Sequence, residues 1–478
     1  MQVSSAQTVP KPINKATVVA TSERIDISSP LFISCSPRLC YTGWFQVTAS
    51  MFKRVLAPRS TRGLTLAGAA ALFCLTTVTT VLAQPAAIHE RIGQGDSRID
   101  YDSTSYRSDS KSLASLTGEA FDLIALFESA PLGLPPLLDA QHLDPGIVSL
   151  GRRLFFDRRL SFNGTLSCAM CHIPEQGFTQ HELSTPVGIE GRFVKRNAPA
   201  LYNVVYRQRL FHDGRENSLA RQIWGPLLAR NEMGNPSVGS VLNRLAETGE
   251  YAADFVAAFD TDINMLTLGQ ALAEYQRALL SADSPFDRWY YGGESAAVEA
   301  TVKRGFTLFM DNDCVSCHQL DDNGALFADG GFHDTGVGYI DAVLRKQKAR
   351  KREPHRLQVA PGVFIDVDTD VVPPRPSDLG RYEATGISAD RWKYSTPSLR
   401  NVAITAPYMH NGAFVSLAAV IEFYAMGGEP HEGQDERIRA RDFSAQDKAD
   451  LVAFLEALTG SNVDALAADA RIAPIGDF

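Results

Sequence analysis

Two runs of the form Cys-x-x-Cys-His, Cys168-Ala-Met-Cys171-His172 and Cys314-Val-Ser-Cys317-His318, constrain this chain more than any other feature. Two thiols about one helical turn apart can add to the two vinyl groups of a haem, and the adjoining histidine then takes the iron from the proximal side. One short motif therefore covers both attachment and ligation. The expectation is two covalently attached haem c groups, with His172 and His318 as proximal iron ligands. A Zn site or a thioredoxin-like dithiol is the competing reading, since two CxxC pairs can form a four-thiolate cage. Both pairs are followed directly by histidine, and a Zn ribbon spaces its pairs far more closely, so haem is favoured.

The start of the chain fits an exported haem protein. After Met51 come Lys53, Arg54, Arg59 and Arg62, then an apolar run from Leu64 to Leu82 that closes on Val81-Leu82-Ala83. A charged segment, an apolar segment and small residues before a cleavage point make a secretory signal over 51–83, cut after Ala83. Met51 then reads as the true start and 1–50 as an over-extended start absent from the mature protein. Cys74 lies in the apolar run without a convincing lipobox, so a lipoprotein is the weaker alternative. Haem c is attached outside the bacterial cytoplasm, and export places the chain in the periplasm. After cleavage every remaining cysteine belongs to a CxxCH, which leaves none for a structural disulfide.

A net charge of −9 argues against a nucleic-acid partner. No apolar run after the leader is long enough to span a bilayer, so the mature chain is expected to have no transmembrane segment. Residues 84–120 read as a flexible linker, with serine and aspartate crowding 96–113. The stretch 345–376, with Arg345, Lys346, Lys348 and Arg350 followed by Pro361, Pro373, Pro374 and Pro376, reads as a solvated surface loop rather than a docking site. From Thr267 a helix is expected with Leu268, Leu272, Tyr275 and Leu279 on one face. Ser444-Ala-Gln-Asp447 reads as a capping box opening a helix through Phe454 and Leu458, stopped at Gly460. Strand alternation is scarce. The fold class is therefore mostly α, with two tandem cytochrome c-like haem domains and long loops: a peroxidatic domain over 121–290 and an electron-transfer domain over 291–465.

The chain repeats itself. Gly151-Arg-Arg-Leu-Phe-Phe-Asp157 precedes the first haem motif and Gly305-Phe-Thr-Leu-Phe-Met-Asp311 the second. Downstream, Pro199-Ala-Leu-Tyr-Asn203 parallels Pro397-Ser-Leu-Arg-Asn401, and Phe211-His212-Asp213-Gly214 parallels Met409-His410-Asn411-Gly412, with thirteen residues from proline to histidine in each. A duplicated haem domain accounts for this more simply than chance. Fourteen residues after His410 stands Tyr424, on a helix capped by Ser416; fourteen after His212 stands Pro226. A phenol oxygen can bind iron and a proline ring cannot. In this register haem 2 has a distal ligand in Tyr424, and haem 1 has an open face. Met426 is the rival ligand, but two residues apart on a helix is a rotation of about 200°, so only one of the pair can face the iron. Around Pro226 the first half supplies Gln222 and Glu232. A carboxylate there can take a proton from the near oxygen of hydrogen peroxide and give it to the leaving one, and an amide can hold the peroxide in place.

With these residues in order, the chain resembles the bacterial di-haem cytochrome c peroxidase and MauG family, in particular its MauG- or MbnH-like branch. Both CxxCH motifs, Arg196-Asn197-Ala-Pro199-Ala-Leu, Phe211-His-Asp-Gly-Arg215, Asn231-Glu232-Met233, Thr396-Pro-Ser-Leu-Arg-Asn401-Val and Ala406-Pro-Tyr-Met-His410-Asn-Gly carry the likeness, over roughly 120–460. It implies an all-α fold with a Ca²⁺ between the haems, held by the Asn197 side chain and the Thr405 and Pro407 carbonyls. It implies Glu232 as the catalytic glutamate with Gln222 as its companion. Tyr424 falls where MauG has its tyrosine ligand and the peroxidases have methionine.

Two departures matter. The family's peroxidases carry a further histidine after the first CxxCH that blocks the peroxidatic iron until the other haem is reduced. Here the corresponding loop, Gly188-Ile-Glu-Gly191, has none, and nearby His181 reads as a surface residue. His212 stands where the family usually places a tryptophan thought to relay electrons between the haems. An imidazole is much harder to oxidise than an indole, so a relay would need another route, such as Trp224 or Tyr202, while His212 could instead donate to a haem propionate or a backbone carbonyl. The resulting expectation is an exported di-haem c enzyme that uses hydrogen peroxide to form high-valent iron and oxidise a side chain of a partner protein. The alternatives are a di-haem peroxidase drawing electrons from a small cytochrome or copper protein, and an electron carrier with both irons six-coordinate.

Overall fold

The structure is a computed structural model that describes residues 118–137, 142–350, 355–360, 363–367 and 377–472. The expected early start, the leader and nearly all of the linker lie outside the described residues. Two helix pairs organise the fold. The Pro145–Phe156 helix packs on the Met265–Arg277 helix, and the Ala300–Asp311 helix packs on the Ala445–Glu456 helix. Each pair crosses at a glycine. A Cβ on Gly151 would fall 1.9 Å from the Ala271 carbonyl oxygen, and one on Gly305 would fall 1.9 Å from that of Asp450. The two repeated heptapeptides begin with glycine because backbone meets backbone there, and no side chain fits.

Leu268, Leu272, Tyr275 and Leu279 all face this first core at 1% exposure or less. Burying each such side chain contributes roughly 1.5–3 kcal/mol. The helix that carries the first three starts at Met265, earlier than the sequence suggested, because Asn264 and Thr267 form a capping box, and it ends at Arg277, so Leu279 is buried from beyond its end. Ser444 caps as expected: its Oγ accepts from the Asp447 N–H at 3.1 Å and the Asp447 carboxylate accepts from the Ser444 N–H at 2.9 Å. That helix stops at Glu456, short of Leu458.

Two hydrophobic cores form. One gathers Phe155, Phe178, Leu268 and Tyr275, and takes in Leu466 and Ala470 from the last helix, Val463–Ala470. The other gathers Phe286, Phe309, Phe327 and Phe454. The chain's final helix thus folds back on the first half, where Asp469 accepts from Arg152 at 2.6 Å. Turn geometry repeats between halves: Asn203 and Asn401 adopt φ of 60° and 61°, and Phe211 and Met409 adopt 64° and 71°. The Asn203 N–H donates to Leu279 and the Asn401 N–H to Leu458.

Sheet is minor among the described residues. Phe332–His333 pairs antiparallel with Tyr394–Ser395, and His355–Ala360 with Val363–Val367. The stretch expected as a solvated loop therefore contains the end of the Val337–Arg350 helix and a hairpin. The missed signal is the β-branched and apolar alternation on either side of Pro361-Gly362, which outweighs the basic and proline-rich composition around it.

Candidate functional site

Both CxxCH runs fold as a 3-10 turn, Cys168–Met170 and Cys314–Ser316, in which the histidine N–H donates to the first cysteine carbonyl at 3.0 Å. His172 donates Nδ1–H to the Phe178 carbonyl at 2.9 Å, and His318 donates to that of Phe327 at 2.8 Å. The two phenylalanines hold left-handed φ of 54° and 53°, which turns each carbonyl toward its ring. Fixing Nδ1 as the donor leaves Nε2 as the lone-pair nitrogen, the arrangement that orients a histidine for iron. Cys168 packs on the first core and Cys314 on the second, so no four-thiolate cage forms. Burial raises the pKa of both free thiols, Cys168 and Cys171.

The first CxxCH opens on a cavity of about 530 Å³. Cys168, Cys171 and His172 line it together with Gln222, Pro226 and Glu232. The structure thus brings together residues that are up to 64 positions apart in the chain (168 to 232). Pro226 has no N–H to give the Gln222 carbonyl four residues back, and the helix is broken there into Leu219–Gln222 and Trp224–Leu228. Glu232 sits close enough to Cys171 to raise that thiol's pKa, and its own carboxyl is raised by burial, with Arg215 pulling it back. The loop that lacks a histidine packs against the backbone that carries Glu232. The Ile189 N–H donates to the Glu232 carbonyl at 2.9 Å, and a Cβ on Gly188 would fall 2.1 Å from the Asn231 carbonyl oxygen.

In the second half Ser416 caps the unbroken Leu417–Ala425 helix. The pKa of the Tyr424 phenol is raised by burial, and the ring lies near Cys317 and Cys314 of the second attachment motif. Met426 is 60% exposed, so of the two rivals only Tyr424 turns inward. His181 is exposed, and its Nε2 bonds the Ile404 carbonyl.

Between the halves, the His212 Nε2 donates to the Asn197 carbonyl at 2.9 Å, the backbone role the sequence left open. Burial holds its pKa down at about 4, so the ring is neutral. Asn197 donates Nδ2–H to the Pro407 carbonyl at 2.7 Å, while its Oδ1 is buried without a partner. Turning that amide over would set Oδ1 against the Pro407 oxygen, an arrangement that a cation would stabilise. The Thr405 hydroxyl is spent on Val402, leaving its carbonyl as the group a cation could use. Trp224 is buried in the first core, and Tyr202 packs edge-on to Phe178.

Sequence reasoning missed Arg207, a half-buried cation lining the cavity that makes no ion pair among the described residues and fits the carboxylates of a haem. It also missed Tyr394, stacked on His410. Neither carries a local motif.

The pattern of the di-haem cytochrome c peroxidase family matches residues 145–295. The methylamine utilization protein MauG of Methylorubrum extorquens is 36% identical over 324 residues, covering 67% of this chain and 80% of that protein. Cytochrome-c peroxidase IdrP1 of a Pseudomonas species is 35% identical over 344 residues, covering 70% and 86%. Among solved structures, a MauG-like protein associated with microbial copper homeostasis superposes with a TM-score of 0.56 at 30% identity, covering 72% of this chain and 97% of that one.

Proposed function

The chain belongs to the di-haem cytochrome c peroxidase and MauG family, and from that premise we propose that it is an exported enzyme that uses hydrogen peroxide to oxidise a side chain of a partner protein. Membership makes it a haem-dependent oxidoreductase. The observation that carries the finer reading is the contrast between the cavity of Gln222, Pro226 and Glu232 and the inward Tyr424 of the second half. When bound at the two CxxCH motifs, haem c supplies the redox centres at which peroxide is reduced. Pro226 offers no ligand and keeps the distal side of the cavity free for a small molecule. Glu232 accepts the proton of the near peroxide oxygen and returns it to the leaving one, a task suited to a carboxyl whose pKa burial has raised. Gln222 holds the peroxide by its amide. His318 and Tyr424 would hold the iron of the second haem, and Asn197 with the Thr405 and Pro407 carbonyls would hold Ca²⁺.

The loop Gly188–Gly191 carries no histidine to fill the cavity, so the enzyme acts without prior reduction. The test is rapid mixing of the haem-loaded diferric protein with hydrogen peroxide, followed by EPR and optical spectroscopy. The expected result is immediate loss of the ferric high-spin signal, with no acceleration by a reduced small cytochrome c. A reaction that waits for reduction of one haem and then turns over rapidly on the cytochrome would leave the second reading standing. That reading, a peroxidase fed by a small cytochrome or copper protein, is favoured by the likeness to IdrP1.

A further inference from the structure

Resting on the reading of two haem sites above, we propose that Tyr394 is the redox relay between them. His212 lines the first cavity and its ring is committed to the Asn197 carbonyl, but its own carbonyl accepts from the Ser395 N–H at 2.8 Å. Ser395 follows Tyr394 on a strand whose partner places His333 opposite Tyr394. The His333 ring nitrogen lies within 4.8 Å of the Cys317 sulfur. This two-residue ribbon therefore joins the wall of the first cavity to the second attachment motif. Tyr394 itself lies face to face with His410, ring centroids 3.6 Å apart and planes 10° from parallel. His410 is the repeat partner of His212, and its peptide carbonyl accepts from the Asn197 N–H at 2.7 Å.

Of the bridge residues His212, Asn197, His410, Ser395 and Tyr394, only the last has a ring that is oxidised easily. Its hydroxyl is buried beside the Asp378 carboxylate, which acts on it by charge and by hydrogen bonding and adds to burial in raising the phenol's pKa. Arg196, which binds Asp378 through Nε at 2.6 Å, lies 5.7 Å from the centre of the tyrosine ring. A cation there disfavours a positively charged ring, so loss of the electron is coupled to loss of the proton. Tyr394 gives one electron toward the peroxide-oxidised centre in the first cavity and its phenolic proton to Asp378. One electron from the His318 side refills the ring and the proton returns from Asp378, so a single electron crosses and the tyrosine is restored. Hydrogen peroxide is the oxidant, taking two electrons and two protons to give two waters.

The experiment uses the full haem-loaded chain with one equivalent of hydrogen peroxide and no partner protein, freeze-quenched for EPR. In the wild type the high-spin and low-spin ferric signals should fall together, with a transient radical whose hyperfine pattern changes when the protein carries ring-deuterated tyrosine. In Tyr394→Phe only the high-spin signal should fall, the tyrosyl radical should be absent, and haem content and the resting spectrum should be unchanged. A variant that loses both signals at the wild-type rate, or a wild-type radical indifferent to deuterated tyrosine, overturns the relay. If no ferric signal falls in either protein, the peroxide reading itself fails and the relay with it; high-spin loss in both proteins with the low-spin signal retained in both overturns the relay alone.

Discussion

The two halves of this protein share a frame and part company on one side of it. In each, a glycine lets two helices touch backbone to backbone, a left-handed phenylalanine aims a carbonyl at the CxxCH histidine, and an asparagine near φ 60° turns the chain under the core. On the distal side the likeness ends. The first half breaks its helix between Gln222 and Trp224, one turn before Pro226, and leaves a cavity, whereas the second runs an unbroken helix that turns Tyr424 inward. A frame built from residues with strict backbone demands can be copied whole, with a proline set against it in one copy and a tyrosine in the other.

The largest test of that contrast is Tyr424→Phe. It should convert the low-spin component of the ferric EPR spectrum entirely to high spin while leaving the Pro226 side unchanged; two low-spin signals in the wild type, or an unaltered spectrum in the variant, would break the comparison at its centre. Next is Glu232→Gln, which should slow the peroxide reaction by about 10² to 10⁴ in stopped-flow mixing at normal haem content. In the wild type the rate should fall as pH drops through the raised Glu232 pKa, since a protonated carboxyl accepts no proton, and the variant should lose that dependence. Equal rates and equal pH profiles would leave Glu232 a bystander.

Gly151→Ala and Gly305→Ala sharpen the likeness of the frames rather than their difference. Each added Cβ meets a carbonyl oxygen at 1.9 Å, so each should cost about 1–3 kcal/mol or more in chemical denaturation, and the two should cost similar amounts. Loss in only one half would mean the crossings are not equivalent. The smallest effect is expected from the caps. Asn264→Ala and Ser444→Ala should each cost about 1 kcal/mol, measured as a shift in denaturation midpoint.

Much of this was legible in the chain. The helices around Leu268 and Ser444 and the repeat register followed from periodicity and spacing, because these are properties of residues within a few turns of one another. The helix boundaries were less so: Asn264 and Thr267 extended one helix earlier, and Leu279 and Leu458 fell beyond the ends expected to include them. The hairpin at His355–Ala360 and Val363–Val367 was hidden by its basic and proline-rich surroundings.

By itself, the sequence marked the two CxxCH runs, the doubling of the chain and the register that sets Pro226 against Tyr424, since motif spacing and helical register are both local. Only the tertiary structure decided that His212 is tied by Nε2 to the Asn197 carbonyl, that Glu232 lies near Cys171 with the Gly188 loop packed against its backbone, and that Arg196, Asp378, His410 and Tyr394 meet between the halves. Arg196 and Asp378 stand 182 positions apart. Contacts at such separation are set by how two cores pack against one ribbon, and no spacing along the chain records them.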